Sequence, residues 1–511
     1  MDNYLMDKEV LCILDTRQIQ SFMFRNKEYM DTLGGSDLII HILNDAIQFA
    51  LNNIDEPLNE NEYDLLDDPD ETPKYFESEK IKFQLIISTA GNAICIVRTG
   101  RLCSKIIRKI SRYYLDHGYS LNIAAAVTEK TDNFGADISH LYRNLNKQKA
   151  SANISNPIGA LPIVIREKNT GDSVIGQDKK TGEYYSKATL IRRTEASYRE
   201  HIINMNDMLT HKCKSGKEYL AVIHADGNNL GITIGRILQN TADYKTGIRA
   251  RRKVNKCIKD IYSYILDNTV RELKEYYYSG NNSDSDFEYA FNIIHQGGDD
   301  INIICRADMA VVFVESLYKY LKGQCLVSAD NTKIPFYICT GIAFVTKDCT
   351  FQYAYEMAQD CCDSAKKEAK EEKNLREGLA GNWIDFQVCD SSDSQKLDLL
   401  RKMQYITSED INLCMRPYCI DEESAGEIYN FEQLITLCHK LRSLKLSKTD
   451  SMMLSQSYST GRAVFESWIE DMKNRGIDLY DIFGSPLYRD DNRKLHATWY
   501  DMIQIMDFIK E

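Results

Sequence analysis

Tyr219-Leu220-Ala221-Val222-Ile223-His224-Ala225, followed at once by Asp226-Gly227-Asn228-Asn229-Leu230-Gly231, is the stretch from which the fold is read. A short apolar run closed by a Gly/Asn cluster predicts a buried strand and a tight exit loop. Helical spacing then continues to about Tyr278. Further on, Tyr289 to His295 and Ile301 to Cys305 flank the turn Gly297-Gly298-Asp299-Asp300, a hairpin signal. A helix near Met309 to Leu321, a strand from Phe336 to Val345 and a helix from Phe351 to Glu372 complete one α/β unit.

The same order of signals occurs earlier in the chain, which predicts an internal repeat. Val10 to Leu14 reads as a strand, followed by a helix and a second helix from Ser36 to Asn52. The acidic insert Asp55 to Glu79 reads as a surface loop. Phe83 to Ile87 and Ala93 to Val97 form a hairpin about Thr89-Ala90-Gly91-Asn92, and a helix from Leu102 to Leu115 precedes a strand from Leu121 to Val127. Set side by side, Ala90-Gly91-Asn92-Ala93 takes the place of Gly297-Gly298-Asp299-Asp300, so the first copy keeps the turn without its carboxylates.

Residues 151–217 are polar and carry the turn signals Asn156-Pro157, Thr170-Gly171 and Thr181-Gly182, as a connector would. Residues 391–511 show helical spacing, as in Leu397, Leu400, Met403 and in Phe431, Leu434, Leu437, Leu441. The expected organisation is a degenerate first unit (1–150), a connector (151–217), a unit able to do chemistry (218–390) and a helical domain (391–511).

Composition narrows the function. A chain of 511 residues with 43% hydrophobic content supports several cores. No run approaches the ~18 apolar residues of a membrane-spanning helix and no secretory leader is evident, which predicts a soluble, cytoplasmic chain without a membrane partner. The 15 cysteines are scattered without a C-x-x-C pair, as in a reducing compartment. Cys414, Cys419, Cys438 and His439 match no zinc spacing. A net charge of -12 argues against a protein that coats nucleic acid. Arg249, Arg251, Arg252, Lys253, Lys256 and Lys259 read as a solvated helix face or as a local basic patch.

Asp226 at a strand end and Asp299 and Asp300 at a hairpin tip are the candidate metal ligands and catalytic residues. Hard divalent cations want oxygen ligands, and adjacent carboxylates repel one another unless a cation lies between them. Gly227, Asn228 and Asn229, between strand and helix, are candidate phosphate contacts, as are Gly297 and Gly298. Lys366 reads equally as a point charge for a phosphate and, with Lys367 and Lys370, as part of a solvated helix face. His224 and His295 flank the aspartates, where either could serve as a ligand or proton carrier, though such histidines are more often packed strand residues.

These residues, with Ile19-Gln20-Ser21-Phe22-Met23-Phe24, Gly34-Gly35-Ser36, Thr340-Gly341-Ile342-Ala343 and Ala365-Lys366, resemble the large polymerase/cyclase subunit of type III CRISPR complexes, over residues 9–390. The resemblance implies two tandem ferredoxin-like palm domains of the α/β (α+β) class, only the second catalytic, with a C-terminal helical domain. It implies Mg2+ or Mn2+ at Asp226, Asp299 and Asp300, ATP as substrate and a cyclic or short oligonucleotide messenger for antiviral defence. The hydroxyl of one nucleotide would attack the α-phosphate of another in line, with loss of pyrophosphate. Implied partners are nucleoside triphosphates, subunits of an RNA-guided complex or an activating RNA, and a downstream effector that senses the product. No His-Asp nuclease domain or paired-cysteine zinc feature is found, as expected of a compact or stand-alone relative, and Asn228 stands where many members carry a second acid. A dinucleotide or mononucleotide cyclase, a non-catalytic nucleotide-binding scaffold and a templated polymerase are the rival readings.

Overall fold

Strands that are apolar along their whole length must be covered on both faces, and both predicted central strands lie in the middle of a sheet. The computed structural model describes residues 3–509 except 26–27, 90, 152–162, 180, 200–202, 214–215, 240, 281–285, 328–331, 372–374, 376–379, 390–394, 422–429, 445 and 490–493. Ala90 and the Asn156-Pro157 turn signal lie outside the described residues.

The first unit runs β1 (Val10–Arg17), α1 (Ile19–Met23), α2 (Tyr29–Asn53), β2 (Phe83–Thr89), β3 (Asn92–Val97), α3 (Gly100–Tyr113), β4 (Asn122–Glu129) and α4 (Phe134–Ser151). After the connector helix α5 (Lys187–Ala196), the second unit repeats this order with β5 (Glu218–Gly227), α6 (Leu230–Gln239), α7 (Tyr244–Ser279), β6 (Phe291–Gly297), β7 (Asp300–Arg306), α8 (Ala307–Leu321), β8 (Ile338–Thr346) and α9 (Phe351–Ala369). Their strand orders are the same, β2-β3-β1-β4 and β6-β7-β5-β8, all antiparallel. This is the expected mixed α/β fold with tandem palm units. In the second unit β9 (Trp383–Cys389) adds in parallel to β8, and Tyr418–Cys419 pairs with β9.

The long helical stretch after Asp226 is two helices, because Asp243 caps the second: its carboxylate accepts the Thr246 N–H at 2.7 Å. The two units face one another about an approximate dyad. Tyr29, opening α2, meets Phe351 of α9 edge-on at 5.3 Å, and Tyr244, opening α7, meets Phe134 of α4 edge-on at 5.3 Å. Each hairpin carries a bulge in its first strand, at Ile86 and at Ile294. An arginine from outside the hairpin donates to each bulge carbonyl: Arg252 Nε to Ile86 at 3.1 Å, and an Arg199 guanidinium nitrogen to Ile294 at 3.3 Å. Such donors satisfy carbonyls that a bulge removes from the ladder.

These contacts correct two expectations. Arg251 and Arg252 are buried, so the basic stretch is neither a fully solvated face nor a nucleic-acid patch at those positions. Arg252 also donates to the carbonyls of Leu66, Asp68 and Leu85. The acidic insert is accordingly packed in part: Tyr75 is 1% exposed and donates its hydroxyl to Glu9 at 2.9 Å, beneath the Arg98 guanidinium.

The motif Gly34-Gly35-Ser36 has a packing reason. A Cβ on Gly34 would collide with the backbone carbonyl of Arg192, because α5 crosses α2 there. The connector thus contributes a tightly docked helix. Ser36 Oγ reaches across to His295 Nδ1 at 2.7 Å, and Phe24 stacks on Tyr355 at 4.0 Å, so the first unit's motif residues are its interface with the second.

The tail is mostly helical, with a small sheet of Ile411–Asn412, Leu487–Arg489 and Leu495–Ala497 that its helical spacing does not announce. Phe508 stacks on Phe344 of β8 at 4.2 Å. Fully buried Asp501 accepts from the Met415 and Arg416 N–H groups and the Tyr418 hydroxyl at 2.8 to 3.0 Å.

Gly34→Ala is expected to destabilise the protein by about 1–3 kcal/mol through overpacking at the α2–α5 crossing. The denaturant midpoint measures it, and an unchanged midpoint would show that α5 is not held there.

Candidate metal and phosphate site

In a strand, side chains two residues apart share a face, and in an antiparallel pair directly opposite residues are neighbours. Asp226 of β5 pairs with Asp300 of β7, and His224 pairs with Asn302. Two rungs of one ladder therefore carry two carboxylates, an imidazole and an amide on one face. One ligand atom from each of His224, Asp226 and Asp300 lies within 4.8 Å of the others. Asp299, predicted alongside them, is not in this group. Its backbone carbonyl accepts the Tyr262 hydroxyl at 2.6 Å and the Gly227 N–H at 3.2 Å, which clamps the hairpin tip to β5.

Burial first, and then the charge of Asp226, push the Asp299 and Asp300 carboxyl pKa values up. Lys366 of α9 forms an ion pair with Asp226. Burial disfavours its charge, but Asp226 outweighs burial and holds the ammonium pKa above its usual value. A Cβ on Gly341 would collide with the Ala358 carbonyl, so glycine lets α9 approach β8 closely enough to bring Lys366 in. An acidic cluster that takes a lysine as counter-ion, on strand ends half open to solvent, fits a divalent cation.

The phosphate candidates fare unevenly. Gly298 has φ 66°, a left-handed turn conformation that favours glycine. Gly227 packs beneath the side chain of Asp299, where a Cβ would approach Asp299 Cβ to 3.3 Å. The Gly227 N–H is taken by the Asp299 carbonyl, and the Asn228 N–H by the Tyr337 carbonyl at 2.8 Å. The Asn228 amide is buried and donates to the Gly381 carbonyl at 2.9 Å, which turns it to the loop before β9. Asn229, at φ 56°, makes the turn into α6, whose first residues include Gly231 with open space around it. Gly297 ends β6 in register with Asp300.

Sequence reasoning set His224 aside. It is 4% exposed, and its Nδ1 contacts Asn302 Oδ1 at 2.6 Å while Nε2 faces Asp300 Oδ1 at 3.9 Å. Burial lowers its pKa. The signal was its position two residues before Asp226, on the same strand face. His295 is packed against Ser36 instead, and burial brings its pKa down to about 4.

The ladder also corrects the alignment of the two hairpins by one residue. Asn92 pairs with Asp15 as Asp300 pairs with Asp226, so Gly91 and Asn92, not Asn92 and Ala93, take the places of Asp299 and Asp300. The first unit keeps the strand-end carboxylate, Asp15, which receives the Asn92 amide at 3.2 Å and the Lys149 ammonium at 2.7 Å. Lys149 stands at the same step of α4 as Lys366 does of α9. Cys414, Cys419 and Cys438 are buried free thiols, and among the described residues only His224, Asp226 and Asp300 group as metal ligands.

Fold and site together define a tandem-palm protein with a pair of opposed carboxylates on adjacent strands of its second unit. Residues 219–375 match the family model of Cas10/Cmr2, second palm domain, so the second unit carries a domain of that family. The apo Csm1-Csm4 cassette is similar in structure at 13% identity and TM-score 0.51, over 99% of this chain and 71% of that one. Csm1 in T. onnurineus is similar at 12% identity and TM-score 0.50, over 98% and 69%. The Csm1-Csm4 cassette in complex with one ATP is similar at 12% and 0.50, over 98% and 70%. These likenesses show the fold. No curated protein matches in sequence. No helix among the described residues is long and apolar enough to cross a membrane.

Asp226→Ala and Asp300→Ala are each expected to weaken Mn2+ binding at least tenfold, about 1.4 kcal/mol. Lys366→Met should tighten it several-fold by removing the competing cation. Calorimetric titration reads both, and weaker Mn2+ binding by the Lys366 variant would contradict the arrangement.

Proposed function

We propose that this chain is a metal-dependent nucleotidyltransferase that converts ATP into a cyclic or short oligonucleotide messenger in antiviral defence. The observation that carries the proposal is the rung Asp226–Asp300 with Lys366 against it. Divalent metal held by Asp226 and Asp300, with Asp299 at the hairpin tip, would supply the charge that stabilises the attacking and leaving oxygens of phosphoryl transfer. Lys366 would exchange its carboxylate partner for a triphosphate oxygen when nucleotide and metal enter together. Gly298 shapes the tip, and the start of α6 with Asn229 offers backbone N–H groups and a helix N-terminus to the phosphates. The second nucleotide would lie toward the first unit, near Gly91 and Asn92.

Subunits of a type III complex, an activating RNA and an effector that senses the product belong to the same proposal, as does the division at 150, 217 and 390. The matched cassettes, Csm1 with Csm4 and one with ATP, support it by fold.

Purified protein incubated with each labelled NTP and Mg2+ or Mn2+ should release pyrophosphate and yield phosphatase-resistant products with ATP. The Asp299→Ala, Asp300→Ala double variant should lose at least a hundredfold in rate. Equal product from that variant would reject the reading.

A further inference from the structure

We infer that His224 is a nitrogen ligand of the second unit's metal site and biases that site toward Mn2+ or Co2+ over Mg2+. This rests on the reading that Asp226 and Asp300 hold a divalent ion.

The argument begins with the tautomer. Nδ1 lies 2.6 Å from Asn302 Oδ1, and an amide oxygen only accepts, so the imidazole proton sits on Nδ1. Asn302 is itself 2% exposed and lies directly across the ladder from His224, which fixes the ring plane. The lone pair on Nε2 is then directed away from Asn302, to the rung that carries the carboxylates. Its distance to Asp300 Oδ1, 3.9 Å, is too long for a hydrogen bond and suits two ligands of one ion. Two atoms each about 2.1–2.2 Å from a metal centre stand roughly 3–4 Å apart at ordinary ligand angles. His224 is nine-tenths buried and among the described residues Nε2 has no hydrogen-bond partner, while the carboxylates of Asp226 on the same strand and Asp300 on the neighbouring one converge on the same point.

A histidine whose far nitrogen is held by a fixed oxygen acceptor is the common form of a metal-ligating imidazole. Its chemistry sets the preference. Mg2+ takes oxygen ligands almost exclusively and gives up water reluctantly, whereas imidazole suits later and softer divalent ions. With two aspartates and one imidazole on adjacent rungs, the protein offers a mixed donor set. His295, the other histidine flanking the aspartates, does not group with Asp226 and Asp300, whose ligand atoms converge with that of His224 alone among the described histidines.

The test is pulsed electron paramagnetic resonance of the full chain loaded with one equivalent of Mn2+. A nitrogen-14 coupling from a directly bound imidazole is expected. Bound Mn2+ without that coupling overturns the inference and leaves the carboxylate reading intact, whereas no bound Mn2+ overturns both. His224→Gln, which keeps a polar side chain opposite Asn302, should abolish the coupling and reduce the Mn2+ over Mg2+ affinity ratio about tenfold. An unchanged ratio in a folded variant would also overturn the inference. Asn302→Leu leaves the imidazole in place without its acceptor. It should retain the coupling and weaken Mn2+ binding, and a lost coupling there would place the nitrogen signal elsewhere.

Discussion

The structure is organised around a pairing that electrostatics opposes. Asp226 and Asp300 are directly opposed on adjacent strands, with Asp299 beside them at the tip of a hairpin whose neighbours are apolar. Like charges at that spacing cost stability in proportion to how far water is excluded. The fold answers with one ammonium group, Lys366, delivered by a helix that can reach only because Gly341 has no side chain. It also clamps the hairpin tip through Tyr262 and the Gly227 N–H, so the strands cannot part to relieve the repulsion. A site held under such constraint is suited to a multivalent cation and poorly explained as packing.

The first unit shows the same scaffold with the repulsion relieved. Asn92 replaces one carboxylate and donates to Asp15, while Lys149 neutralises the remaining charge. The same ladder, helix and lysine therefore serve two electrostatic regimes. One is a balanced polar cluster, and the other keeps an excess of negative charge.

Polar contacts couple the units alongside the aromatic pairs Tyr29–Phe351, Tyr244–Phe134 and Phe24–Tyr355. Arg252 and Arg199 each donate to the carbonyl of a hairpin bulge, and Ser36 bonds His295 across the interface. Bulges re-aim a strand and leave a carbonyl without a ladder partner, so an arginine from a neighbouring element fixes both the bend and the relative placement of the units. Asp37 holds Arg199 through two hydrogen bonds of 2.7 and 2.8 Å, which ties the connector to α2 and to the second hairpin at once.

The sequence by itself determined the repeat, the order of the main strands in each unit, the hairpins and the acidic residues of the candidate site, because apolar periodicity and turn chemistry are local properties. Gly298, Asp226 and Asp300 were legible for that reason. Only the tertiary structure decided which residues meet. Register, set by pairing between strands far apart in sequence, placed Asn92 rather than Ala93 opposite Asp15 and put His224 one rung behind the carboxylates. The burial of Arg251 and Arg252, the docking of α5 on Gly34 and the turning of Asn228 to the Gly381 carbonyl likewise depend on elements that arrive from elsewhere in the chain. A charged or polar side chain carries no mark in the sequence of which distant carbonyl will satisfy it, since that partner exists only once the chain is packed.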